Sequence, residues 1–154
     1  MIAYLSGPME NAPKSGSIWR EDITKWLKEN LGHIVIDPVI ESRAIIEKTN
    51  SYDYKLWKVS NPEKYKNFLR SFIDKDLNLI INKADYLIVL WDQNVLKGGG
   101  THGEITISYY INKPVYLVNR LPKYEISGWI FSCATGIYNS FDELKIDFKK
   151  KFNK

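Results

Sequence analysis

The feature that most constrains this chain is the unbroken apolar run at 86–91, Tyr-Leu-Ile-Val-Leu-Trp. Six strand-forming residues without alternation are too few for a helix, and a strand with no polar face must be covered on both sides, as in a parallel sheet. Gly98, Gly99 and Gly100 then free the backbone, Thr101-His102-Gly103-Glu104 opens a new periodic segment, and Lys113-Pro114 closes it before a second buried strand at 115–118. Strand, glycine-rich loop, helix and strand make a parallel crossover. Its loop falls at the carboxyl end of the sheet, where open α/β sheets take up ligands.

Glu104 admits two readings. Thr101 and Glu104 fit a capping box, Thr-x-x-Glu, which needs no function. Alternatively, a carboxylate in the first helical turn, held ionised by the helix dipole and backbone N–H groups, is a nucleophile or base at the mouth of a cleft.

The remaining chain repeats the strand and helix pattern. Residues 2–5 form a buried strand that Ser6-Gly7-Pro8 stops, and 11–16 is a polar loop. Ile18, Trp19, Ile23, Trp26, Leu27 and Leu31 recur at three- and four-residue steps, which predicts an amphipathic helix over 17–30 with Gly32 at its end. A short strand follows at 34–36 and ends at Asp37-Pro38. Residues 39–61 show no clear period beyond a helical turn or two at 40–48. So long a connection suits a lid or pocket wall, where Tyr52, Tyr54 and Trp57 either stack on a planar ligand or cover the core.

Pro62-Glu63 starts the next helix, whose apolar stripe runs from Phe68 to Ile81. Asp76 stands four after Phe72 and four before Ile80, beside that stripe. A carboxylate there needs a partner, a solvated cleft or a function, unless the helix breaks and Asp76 caps a shorter one. After 115–118 come a polar loop at 119–127, a short helix at 128–135, a strand at 137–139, and a terminal helix capped by Ser140. Five strands alternating with helices predict an open, doubly wound parallel sheet with helices on both faces, in one domain over 1–154.

Composition narrows the function classes. With 154 residues, 44% hydrophobic and 26% charged, the chain suits one globular domain. Residues 145–154 hold five lysines and one aspartate, which accounts for the whole net charge of +4. That is a basic helix end rather than a basic stripe, so no specific nucleic-acid partner is expected. No apolar run is long enough to span a membrane and none resembles a signal peptide, so a soluble cytoplasmic protein is expected. Cys133 is single and suits a buried structural thiol; His33 and His102 make no cluster at zinc-ligand spacing.

Three loops should converge at the carboxyl ends of the strands: 6–9, 91–104, and the segment after 118. The chain lacks Gly-x-Gly-x-x-Gly after its first strand and lacks Gly-Lys-Ser/Thr, which disfavours dinucleotide reduction and ATP hydrolysis. What remains is a small polar pocket with Glu104, Asp76 and Asp92 nearby. Two carboxylates in unlike surroundings can divide the labour of nucleophile and acid, as in glycoside cleavage. Asp92, at a strand end, either joins them or bonds loop N–H groups in an Asx turn, and His102 is either a base or a surface residue.

Tyr4-Leu5-Ser6-Gly7-Pro8, then Asp74-Lys75-Asp76-Leu77 before Ala84-Asp85-Tyr86-Leu87-Ile88-Val89, then Gly100-Thr101-His102-Gly103-Glu104 before Lys113-Pro114-Val115, together with Ser140-Phe141-Asp142-Glu143-Leu144, occur in that order. This ordered set resembles the nucleoside 2-deoxyribosyltransferase family and its nucleotide N-hydrolase relatives. The resemblance implies a flavodoxin-like sheet, N-glycosidic bond cleavage without metal or cofactor, and a homo-oligomer in which a neighbour completes the pocket. It implies that Glu104 attacks the anomeric carbon, Tyr4 orients that carboxylate, and Asp76 binds or protonates the leaving base. Ser6, Gly7, Asp92, Gly98, Gly100 and Thr101 are the expected substrate-binding residues. Where transferases of the family can carry an acid and the nucleotide hydrolases a serine, six residues before the nucleophile, this chain has Gly98. Ser6, Gly7, Ser15 and Ser17, with Lys14 or Arg20, either cradle a 5′-phosphate or are ordinary turn and cap residues. The pattern at 98–104 also partly resembles phosphoribohydrolases that release cytokinin bases. A hydrolase of NAD-like dinucleotides would use similar glycosidic chemistry, and a non-catalytic nucleotide sensor would keep the fold and loop without turnover.

Overall fold

The apolar runs pair into one all-parallel sheet of β1 (Ile2–Ser6), β2 (Ile34–Ile36), β3 (Tyr86–Trp91), β4 (Val115–Asn119) and β5 (Gly136–Tyr138), in the order β2-β1-β3-β4-β5. The structure, a computed structural model, describes residues 1–9 and 12–152, the side chains of Pro13 and Ser15 excepted. Asn11, in the predicted polar loop, the Ser15 side chain, and Lys154 of the basic tail lie outside the described residues. The strand order is that of flavodoxin-like sheets, and the connections leave β1 in one direction and β3 in the other. A crevice therefore opens between the carboxyl ends of β1 and β3.

Helices α1 (Ser17–Leu31), α2 (Pro38–Thr49), α3 (Trp57–Ser60), α4 (Pro62–Asn82), α5 (Gly100–Tyr110), α6 (Gly128–Cys133) and α7 (Phe141–Phe152) complete the fold. Side chains alternate along each strand and so divide the core in two. Ala3, Leu5, Tyr86, Ile88, Tyr116 and Val118 face α1 and α7, where they bury Ile23, Leu27, Leu144 and Phe148. Tyr4, Leu87, Val89, Trp91, Val115 and Leu117 face the other way, onto Ile80 of α4, Ile105 of α5 and Ile130 of α6. Burial of this kind stabilises by about 1.5–3 kcal/mol for each large apolar side chain, which outweighs weak helical propensity. Cys133 lies buried in the second cluster, and its thiol is pushed up by burial.

One stretch differs from expectation, and at another the structure decides between two alternatives. The segment after β2 is a full helix rather than a turn or two: Asp37 caps it by accepting from Val39 N at 2.9 Å, and Pro38 occupies its first position. Proline there loses no needed N–H, so the Asp-Pro pair that ends the strand also starts the helix. The helix carrying Asp76 runs unbroken over Pro62–Asn82, capped by Asn61, so Asp76 is interior and caps nothing. Among the described residues no helix is long and apolar enough to cross a membrane.

Candidate active site

Position parity on β1 decides what meets Glu104. Tyr4 and Ser6 are two apart and therefore share a face, the face that α5 covers. The Tyr4 hydroxyl donates to Glu104 Oε1 at 2.8 Å, and the Ser6 hydroxyl donates to Oε2. Both carboxylate oxygens are thus held from β1, an inner strand of the sheet. The capping box does not form: α5 begins at Gly100 after an uncapped Gly99, which puts Thr101 second and Glu104 fifth in the helix. Glu104 is too far in to reach the cap, and the two hydroxyls claim its side chain instead.

Burial pushes the Glu104 carboxyl above the usual carboxylate range, opposed by the Ser6 and Tyr4 hydroxyls and by the charge of Arg20. Tyr4 is fully buried, and burial with the nearby Glu104 and Asp76 charges drives its phenol far above the ordinary range. It remains a hydroxyl donor at any working pH. Asp76 approaches from α4 with its side chain 18% exposed and Lys75 Nζ at 3.7 Å. Burial, and then the Glu104 charge, push its carboxyl up to about 6. Asp76 Oδ1 is buried and accepts no hydrogen bond among the described residues. Burial thus pushes both carboxyls toward the proton-bound form, and the Glu104 charge adds to that push on Asp76; two carboxyls in unlike surroundings can divide the roles of nucleophile and acid.

A cavity of about 420 Å³ opens over this pair, within the range of small-molecule sites. It is walled by Gly7, Asp76, Gly98, Gly100, Thr101 and Glu104, so most of the expected residues come together. Tyr4 and Ser6 lie beneath it and act on Glu104. The 39–61 segment does supply a wall, through Val39, Ser42 and Arg43 of α2 and through Tyr54 and Lys55. Tyr54 packs on Phe68 and Phe72, whereas Trp57 is buried core, its indole N–H on Asp53, and Tyr52 is exposed.

Asp92 is not brought to this cavity. Its Oδ1 accepts from Asn94 N at 2.8 Å, the Asx turn, and it lines a second cavity on the α1 and α7 side. The His102 ring sits against Trp91, 4.9 Å between centroids, and does not line the cavity either. Gly98 has φ −118°, and a Cβ there or at Gly100 would meet nothing within 4 Å. These glycines are not required by the backbone; they leave the cavity wall open. Gly7 and Gly16 are required: both have positive φ, and a Cβ on Gly16 would stand 2.6 Å from Arg20 Nη1 and from Pro8 O.

The sequence suggested Arg20 only as a phosphate ligand, yet it is fully buried, donating to Gly7 O at 3.1 Å and Gly16 O at 3.0 Å and pairing with Asp37 at 3.5 Å. A signal existed: Arg20, Ile23 and Leu27 recur at three and four on the buried stripe of α1. The buried Ser42 and the exposed Arg43 and Lys55, which also line the cavity, left no such signal.

No family model and no curated protein matches the sequence. Among solved structures, that of a 2-deoxyribosyltransferase from the psychrotolerant bacterium Bacillus psychrosaccharolyticus is similar, with a TM-score of 0.66 at 19% identity over 94% of this chain and 90% of that one. At that identity the likeness is one of fold: this chain has the α/β architecture of that transferase, reached independently of the motifs and covering nearly the whole of both chains.

Proposed function

We propose that the protein cleaves or transfers at the N-glycosidic bond of nucleosides, deoxynucleosides or their 5′-monophosphates, through a covalent glutamyl-sugar intermediate. The support is the grip on Glu104: a carboxylate fixed at both oxygens by Tyr4 and Ser6, opening into a cavity beside a carboxyl that ionises near 6. The fold shared with a 2-deoxyribosyltransferase agrees with it.

In this mechanism Glu104 attacks the anomeric carbon as the bond from that carbon to the base nitrogen breaks. Asp76, protonated, gives its proton to the departing base, and the electron pair of the broken bond leaves with it. Water or a second base then attacks the same carbon, Glu104 leaves as carboxylate, and Asp76 takes up the proton. Tyr4 and Ser6 hold the carboxylate on line, an orientation that itself lowers the barrier. The aromatic wall of Tyr54 and Phe72 offers a planar base a stacking surface.

The test is a panel of ribo- and deoxyribonucleosides and their monophosphates, with and without an acceptor base, followed for free or exchanged base. Base release by the parent, with a sugar adduct on Glu104 by mass spectrometry when acceptor is withheld, supports the reading. Equal activity in Glu104→Ala sinks the mechanism; ligand-dependent thermal stabilisation without turnover points instead to a sensor.

A further inference from the structure

A charged side chain in the core is costly, several kcal/mol per ion even after relaxation, and an apolar residue at position 20 would anchor α1 equally well. Arg20 is nevertheless fully buried beneath the candidate site. Its guanidinium donates from Nη2 to Gly7 O at 3.1 Å and from Nη1 to Gly16 O at 3.0 Å and Pro8 O at 3.4 Å. Its Nε lies 3.5 Å from Asp37 Oδ1, and its plane sits 4.5 Å over the Trp19 ring. These contacts join two separate walls. Gly7 and Pro8 line the cavity from the β1–α1 loop, and Asp37 caps α2, whose Pro38, Val39, Ser42 and Arg43 line it from the other side.

We propose that Arg20 is a positioning residue: it fixes the two walls against each other, and its buried charge works against the burial that favours the neutral Glu104 acid. The inference rests on the glycosidic reading for its consequence in catalysis, but its physical content is independent of turnover. Among the described residues, the groups that act on Glu104 are Tyr4 and Ser6 from β1 and Arg20 from α1, and Asp76 from α4, with Lys75 beside it, is the carboxyl linked to it by mutual repulsion. Asp76 and burial favour the neutral acid. The two hydroxyls and Arg20 favour the anion, and of those three only Arg20 carries charge. Asp37 tempers that charge, since it is the anion nearest the guanidinium on the side of α2.

This arrangement gives a signature of opposite signs that a purely structural arginine lacks. Arg20→Met removes the charge and should raise the Glu104 titration midpoint by about one pH unit, read by NMR of labelled glutamate Cδ and assigned by its loss in Glu104→Gln. Arg20→Lys keeps the charge and loses the fork, so the midpoint stays near the parent value while KM rises through the loosened walls. Asp37→Asn keeps the helix cap, because Asn caps as well as Asp, but removes the tempering charge. It should move the midpoint down, by about half a unit. If Arg20→Met does not fold, the downward shift in Asp37→Asn decides. An unmoved Glu104 midpoint in Asp37→Asn, or in a folded Arg20→Met, overturns the proposal. A parent that releases base from no nucleoside overturns the glycosidic reading and leaves the titration outcome standing.

Discussion

Replacing Asp76 by Asn removes one proton-binding site and almost no volume, so its effect can be worked out from the site. In the unfolded chain this carboxyl has its ordinary value of 3.8, and in the folded protein it is pushed up to about 6. A raised folded value means that the folded state holds the proton more tightly. The associated stability is fully present below pH 4, falls as pH rises between 4 and 6, and is gone above 6, where both states are ionised. The rise is worth about 2–3 kcal/mol, with little discount for screening because only 18% of the side chain is exposed. In urea denaturation from pH 4 to 8, Asp76→Asn should therefore gain about 2–3 kcal/mol on the parent between the two ends of the range. Its rate of base release should fall by about 10²–10⁴-fold, the usual contribution of a positioned acid. The parent's kcat/KM should decline above pH 6, where the donor is deprotonated, and the variant's profile should lose that limb. Parallel stability curves for the two proteins would refute the burial of an ionised Asp76 as the source of the shift, and an unchanged rate would refute its role as donor.

Tyr4→Phe keeps the buried ring but removes one donor from Glu104; a bond to a charged acceptor is worth about 1.5–3 kcal/mol, so stability should fall by about that amount in denaturation, and base release should fall by about 10–100-fold as the carboxylate loses its orientation. Gly16→Ala meets both a positive φ and a Cβ 2.6 Å from Pro8 O, and should lose about 1–3 kcal/mol in denaturation. Gly98→Ala meets neither, so its stability should equal the parent's while KM changes, because the added methyl enters the open wall of the cavity. Lys113 donates to the carbonyls of Ile80, Ile81 and Ala84 at the end of α4; Lys113→Met should cost about 1–3 kcal/mol and quicken amide exchange at residues 79–84.

The sheet was legible because its three inner strands, β1, β3 and β4, are buried on both faces. A run such as Tyr86–Trp91 has no solvent-facing positions to blur it, and helices between successive runs admit only parallel pairing. Residues 38–60 were less legible for the opposite reason. Ile40, Tyr52, Leu56 and Val59 are exposed, so apolar residues there do not mark a buried face, and the helical period is lost. The start of α2 was hidden by a double use of Asp37-Pro38, which ends one element and caps the next.

The site divides along a different line. Asp76 was legible because helical geometry is local: its place beside the stripe of α4 follows from residues three and four away. What holds Glu104 was not, since Thr-x-x-Glu is a local pattern and the true partners lie 100 and 98 residues away. Local hydrogen-bond rules favoured the cap, and tertiary geometry overrode them once Gly99 and Gly100 shifted the start of the helix. Yet the pairing carries a constraint that sequence alone can state. Residues on one face of a central strand must both meet whatever covers that face, so any carboxylate placed over Tyr4 is also placed over Ser6. The two hydroxyls are therefore one device, and swapping Leu5 and Ser6 would break it without removing either side chain. The hydroxyl would turn to the α1 and α7 face, Glu104 would keep only Tyr4, and its titration midpoint should rise, because a hydrogen bond that favours the anion is lost. A midpoint unmoved by that exchange would mean that burial and the Arg20 charge, and not the paired hydroxyls, govern the nucleophile.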